Sequence, residues 1–289
     1  MERHLLLTVN ASHTHQHASR FVNYFFKKDQ HTRITLFYVA PNPHLNVDLS
    51  HNALSNINEA ELLTATYKRK GNLALKQARE LLVNNGFPQE MIETKLQLKH
   101  YGTAMDIIQE AEKGYYDAVL LGRRGLSMFE ELLDDSISKH LLREDINFPL
   151  WICKEPEPGR KNVLLCADGS QESLRAADHV GFMLAESDQH DITLFHVCDK
   201  DKEKVALSFD ATKAALIAND FPPDRIHEKV THCANVAQTI LQYALDNNFA
   251  AIAMGTTGAG QKYLKNLVMG SVCMSIFKSL KKVTLIVRR

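Results

Sequence analysis

The sequence predicts an α/β protein made of two tandem doubly wound domains, and three observations carry that expectation. A block of chain occurs twice, short apolar runs alternate with longer amphipathic ones, and the apolar runs lack the polar alternation of a half-exposed strand.

The repeat comes first, because a missed duplication would distort every later reading. Ile34-Thr35-Leu36-Phe37-Tyr38-Val39 returns as Ile192-Thr193-Leu194-Phe195-His196-Val197, and Val9-Asn10-Ala11-Ser12 returns as Ala167-Asp168-Gly169-Ser170, both 158 residues on. Further along, Asn85-Gly86-Phe87-Pro88 matches Asn219-Asp220-Phe221-Pro222 at an offset of 134, and the stretch from Leu121 to Gly125 matches that from Met254 to Gly258 at 133. The drop places about 24 extra residues in the first copy, an insert near 41–58 between Ala40 and a long helix beginning near Glu59. The domains are read as 1–154 and 161–289, joined by the Pro/Gly/charge stretch from Glu155 to Arg160.

In the second copy the apolar runs are Val163 to Ala167, Ile192 to Val197, Ala250 to Met254 and Val283 to Val287. Between them Leu174, Ala177, Gly181 and Leu184, then Val236, Ile240 and Ala244, then Leu264, Leu267, Val268 and Val272 keep helical spacing. Alternation of this kind gives a parallel sheet with covered faces, whose ligands sit beyond the carboxyl ends of the strands.

Charge narrows the partners. Thirty-four Lys and Arg balance 34 Asp and Glu, so no global field draws the chain to nucleic acid or to an anionic membrane. Five cysteines without a C-x-x-C pair suit a reducing compartment. The apolar run before Asn10 is too short for a signal peptide, and no stretch approaches the ~18 apolar residues of a membrane span. A cytoplasmic protein is expected.

The chemistry gathers at strand ends of the second copy. Asp168 ends the first run, and Gly255-Thr256-Thr257-Gly258-Ala259-Gly260 follows the third, with Gly270-Ser271 inside the next amphipathic segment. Glycines there let backbone N–H groups approach phosphate oxygens, and a helix N-terminus adds favourable potential. Asp168 can accept hydrogen bonds from ribose hydroxyls, although Asp before Gly-Ser is equally ordinary helix-start chemistry.

This set resembles the universal stress protein family, whose phosphate signature is Gly, two residues, Gly, nine residues, then Gly and Ser or Thr. The resemblance spans both copies. It implies a five-stranded parallel sheet with helices on both faces in each domain, the fold of the adenine-nucleotide alpha hydrolase-like proteins. It also implies a stress-response or regulatory factor that binds ATP or AMP, with Mg2+ as an accompanying ion. Asp168 would touch ribose, Val197 the adenine through its backbone, and Gly255, Gly258, Gly270 and Ser271 the phosphates, with Gly260 as the alternative to Gly258 and Ala167 and Val272 as further nucleotide-binding residues. Last-strand pairing within the family implies that 148–153 and 283–287 join the halves as an internal pseudo-dimer, and two chains can associate further as a homodimer.

Departures from the signature divide the copies. The first keeps the spacing Gly122-x2-Gly125-x9-Asp135-Ser136, but Asp135 replaces the third Gly and Asn10 the strand-end Asp. A carboxylate ~5 Å from a phosphate at an effective dielectric of ~20 costs roughly 3 kcal/mol, so the first site reads as degenerate. Arg123 and Arg124 there read as ion-pair partners of the neighbouring acids. The second copy keeps every residue type, with eleven residues rather than nine between Gly258 and Gly270.

Competing motifs fall short. A near P-loop has Gln261 where Lys is required, and there is no G-x-S-x-G elbow, Ser-Gly-Gly-x-Asp-Ser loop or His-x-Gly-His, so nothing demands catalysis. The run Ser12-His13-Thr14-His15-Gln16-His17 reads as an exposed polar helix start rather than a metal site. The other open reading is a nucleotide-free interaction module that meets an unknown protein partner through the insert, with His44 and His51.

Overall fold

The computed structural model describes residues 2–11, 16–26, 31–46, 53–122, 147–197, 202–233, 235–258 and 269–289. Its contacts divide the chain into two compact units, Met1–Asn23 with Lys27–Leu133, and Tyr24–Phe26 with Asp134–Arg289.

The first unit runs β1 (Arg3–Thr8), α1 (His17–Phe25, whose end is shared with the second unit), β2 (Thr32–Ala40), α2 (Ala53–Asn84), β3 (Ile92–Leu98), α3 (Thr103–Gly114) and β4 (Ala118–Leu121). Its strands lie in the order β3-β2-β1-β4, all parallel. The second unit runs β5 (Leu150–Cys153), β6 (Val163–Cys166), α4 (Gln171–Leu184), β7 (Ile192–Val197), α5 (Lys202–Ile217), β8 (Ile226–Thr231), α6 (Val236–Asp246), β9 (Ala251–Gly255), α7 (Ser271–Ser279) and β10 (Thr284–Arg288). Its order is β5-β10-β9-β6-β7-β8, with every neighbour parallel except β5, which lies antiparallel to β10 from Thr284↔Cys153 to Val287↔Leu150. α4 packs on α5 and α6 on α7, giving helices on both faces. Among the described residues no helix is long and apolar enough to cross a membrane.

The duplication is written into the strand register. Leu5 pairs with Ile34 and Val163 with Ile192, a separation of 29 in each copy. Ile34 pairs with Ile92 across 58 residues and Ile192 with Ile226 across 34, so the difference of 24 is the insert. Much of it is helix, since α2 has 32 residues against 16 in α5. α2 starts at Ala53, ahead of Glu59, and its buried stripe of Ala60, Thr64, Gly71, Ala74, Leu75, Ala78 and Leu82 faces the sheet beyond those first turns. Gly71 is where helix and sheet come nearest; a β-carbon there would lie 2.6 Å from Leu96 Cδ1 and 2.7 Å from Tyr38 Cδ1.

The helix start at the histidine run is not exposed. Gln16 and His17 are buried, drawn under with Ala18, Phe21, Val22 and Phe25 on the inner side of α1. Residues 12–15 lie outside the described residues. The linker is likewise anchored: the Arg160 guanidinium pairs with Glu157 and donates to the carbonyls of Ala244 and Leu245 in the last turn of α6 and of Phe249 just beyond it. A cation at a helix C-terminus meets the negative end of its dipole.

The lone tryptophan, Trp151, packs edge-on to Phe25 at 5.8 Å and stacks on Phe26 at 5.9 Å. Its indole N–H donates to His179 Nε2 at 2.9 Å. An indole has no lone pair to offer, so the bond requires a neutral imidazole. Burial, with Arg288 adding to it, pushes the His179 pKa down to about 3. The folded value lies below the unfolded one, so this contribution is present above pH ~6.5 and is lost as the pH falls. Between pH 7 and pH 5 the wild type is expected to lose about 2 kcal/mol more than His179→Gln, which accepts the same bond without titrating. Urea unfolding followed by Trp151 fluorescence measures the difference, and equal losses would refute the assignment.

Candidate functional site

The second unit's sheet places β6 between β7 and β9, and the ends of these three strands open onto one cleft of about 340 Å3. Chain order reverses at β6, so its neighbours' connections leave to either side and a gap forms beyond the strand ends.

At the end of β6 the chain passes Ala167 to Asp168, whose Oδ1 accepts from Ser170 N at 2.9 Å and Ser170 Oγ at 2.6 Å. Gly169 takes φ +77°, and Ser170 Oγ in turn accepts from Ser173 N at 3.1 Å, capping α4. Asp168 thus performs helix-start chemistry while its carboxylate also lines the cleft.

At the end of β7, Ala167 N donates to Phe195 O and the Ala167 carbonyl accepts from His196 Nδ1 at 2.6 Å. A carbonyl only accepts, so Nδ1 carries the proton. Phe195, Val197, Val236, Ile240 and Met254 form an apolar wall, and Phe195 is stacked on Tyr243 at 4.6 Å.

The third strand end is where glycine is required. A β-carbon on Gly255 would lie 2.6 Å from Glu172 Cβ and 2.8 Å from Glu172 C, so its absence lets α4 seat against β9. On Gly258 a β-carbon would lie 2.9 Å from Asp168 Oδ2. Gly270 does not sit inside a helix as the amphipathic pattern suggests. It is the N-cap of α7, its N–H donating to Thr256 O at 2.7 Å and its carbonyl accepting from Met274 N at 2.9 Å. The amides of Ser271, Val272 and Cys273 therefore open the helix at the cleft wall without intrahelical acceptors, and no acidic residue stands in that first turn.

Eight of the nine sequence-nominated residues, Ala167, Asp168, Val197, Gly255, Gly258, Gly270, Ser271 and Val272, line this cleft. Gly260 lies outside the described residues, as do Leu264, Leu267 and Val268. Sequence reading missed Lys204, His196 and the two cysteines Cys166 and Cys273; Val236 and Ile240 it took only for core spacing. Burial, with the Asp168 carboxylate adding to it, pushes the Cys166 thiol up, and burial pushes Cys273 up to about 12. Both are neutral thiols at pH 7.

The corresponding strand ends of the first unit are tied together. Thr8, at the position of Cys166, donates through Oγ1 to Leu120 O and accepts from Gly122 N, each at 3.1 Å. The amide of Gly122 is committed to this bridge. Gly125, Asp135, Ser136, Arg123 and Arg124 lie outside the described residues.

The model of the universal stress protein family matches residues 159–288. By that match the second domain is a universal stress protein domain. A universal stress protein from Archaeoglobus fulgidus shares the fold over 99% of this chain and 98% of its own, with a TM-score of 0.65 at 20% identity. A functionally unknown protein from Pseudomonas aeruginosa does so over 99% and 92%, with a TM-score of 0.54 at 14% identity. Both halves of the chain, including the one the family model leaves unmatched, therefore fall within one fold match. A universal stress family protein from Arabidopsis thaliana with AMP bound spans 53% of this chain and 91% of its own, with a TM-score of 0.34 at 16% identity. No curated protein sequence matches the chain.

In this universal stress domain the packing at Gly255 sets a stability requirement of its own. Gly255→Ala is expected to lower stability by about 1–3 kcal/mol through overpacking against α4, read as a lower urea midpoint with unchanged slope. A midpoint equal to that of the wild type would show that α4 yields without penalty.

Proposed function

We propose that this universal stress protein binds one adenine nucleotide, ATP or AMP, in the cleft of its second unit and acts as a nucleotide-responsive stress or regulatory factor. The observation that carries the reading is the convergence of a strand-end carboxylate, an apolar slot and the uncapped first turn of α7 on one cleft. Adenine lies in the slot beside Val197 and Ala167, its ribose at Asp168, and its phosphates at Gly255, Gly258 and the amides of Ser271 and Val272. Gly270 shapes the phosphate wall rather than donating to it, because its amide is held by Thr256. The first unit holds none, a reading supported by the Thr8 bridge and by Asp135 and Asn10 in the sequence.

A second reading has its own observation. Asp168 Oδ1 is fully used in starting α4, and the extended α2 presents Leu54 (80% exposed), Leu62 (72%) and Leu73 (54%) to solvent. An interaction module with two vestigial clefts would use that surface instead.

The nucleotide content of the purified protein separates the two. Denatured wild type is expected to release about one adenine nucleotide per chain, whereas Asp168→Ala and Gly270→Glu release none, the latter because it sets a carboxylate at the phosphate wall. Wild type that is empty, and whose melting temperature ignores ATP at a hundredfold excess over micromolar affinity, would transfer the function to the second reading.

A further inference from the structure

One side chain of the cleft carries a charge that the glycine signature does not supply. Among the described residues that line it, Asp168 is the one carboxylate and Lys204 the one ammonium. Lys204 stands in the first turn of α5, which buries Val205, Ser208, Phe209 and Thr212 and leaves Lys204 exposed. Ser208 fixes where that helix lies: its Cβ and Oγ are 3.6 Å from the place a β-carbon would take on Gly169, directly beside Asp168. Lys204 precedes Ser208 by four residues, one helical turn, on the same side of α5. Helical side chains lean toward the N-terminus, so the ammonium extends from that turn along the cleft rim.

We infer that Lys204 is the residue that makes this cleft select a nucleoside phosphate over the nucleoside. The inference rests on the nucleotide reading above and assigns its charge selectivity. Ribose hydroxyls bring no charge to Asp168, and a nucleoside gains from the apolar slot and the carboxylate alone. A phosphate group carries about −1.5 to −2 charges and is repelled by the same carboxylate. The α7 amides supply partial positive charge at one wall, and Lys204 supplies a full unit on the Asp168 flank, offsetting the repulsion for charged ligands only.

Titration calorimetry of the full chain with AMP and with adenosine, on wild type, Lys204→Gln and Lys204→Arg, tests this. Lys204→Gln is expected to weaken AMP about tenfold, leave adenosine within about twofold, and flatten the salt dependence of AMP binding, while Lys204→Arg restores it. Equal weakening of AMP and adenosine would make Lys204 a wall of the pocket, and unchanged AMP binding would remove it from the site. Either result overturns the inference while leaving nucleotide binding intact. A wild-type chain that binds neither ligand overturns the nucleotide reading itself.

Discussion

The cleft of the second unit depends on β6 lying between β7 and β9 with its neighbours' connections leaving on opposite sides. Right-handed crossovers then send helices to the two faces of the sheet and leave the strand ends uncovered between them. The gap stays narrow because Gly255 has no side chain, so the first turn of α4 rests on β9 rather than standing away from it. A single methyl group at that point separates a fitted cleft from a splayed one.

The same architecture appears twice with differently built strand ends. In both copies the first two strands meet in the same register, so their ends arrive in equivalent places. One difference lies in the side chain that ends the first strand, Thr8 in one copy and Cys166 in the other. A threonine hydroxyl can both donate and accept, and Thr8 uses both capacities to tie β1 to the residue following β4. The thiol of Cys166 is a weak donor and acceptor with no such grip, and the second gap remains a cleft. Divergence of the copies is thus a matter of hydrogen-bond capacity at one position as much as of the glycine loop.

The strands buried on both faces were legible in the sequence, because a strand covered by helices above and below it must be apolar at every position. The edge strands were not. β8 reads Ile226-His227-Glu228-Lys229-Val230-Thr231 and is largely exposed, so the burial that writes a hydrophobic pattern never acted on it. Charges there also guard an open edge. Gly270 was misplaced for a related reason: apolar residues on both sides of it continue one helical spacing in the sequence, whereas the structure makes it the N-cap of α7, its amide bonded to Thr256. Lys204 was overlooked because a solvent-facing lysine on a helix is the least informative of residues until the fold sets it on the wall of the cleft. Much of the candidate site was legible because Gly255 and Gly258 stand where a β-carbon would meet Glu172 and Asp168, and Asp168 itself starts α4.

The antiparallel seam between β5 and β10 has a consequence for how the molecule responds to dilution. A last strand left open would seek its partner on another molecule, and its occupancy would rise and fall with the amount of protein present. Here both strands belong to one chain, so the pairing is first-order and survives at any concentration. The same β5–β10 pairing is therefore present whether the chain is scarce or abundant.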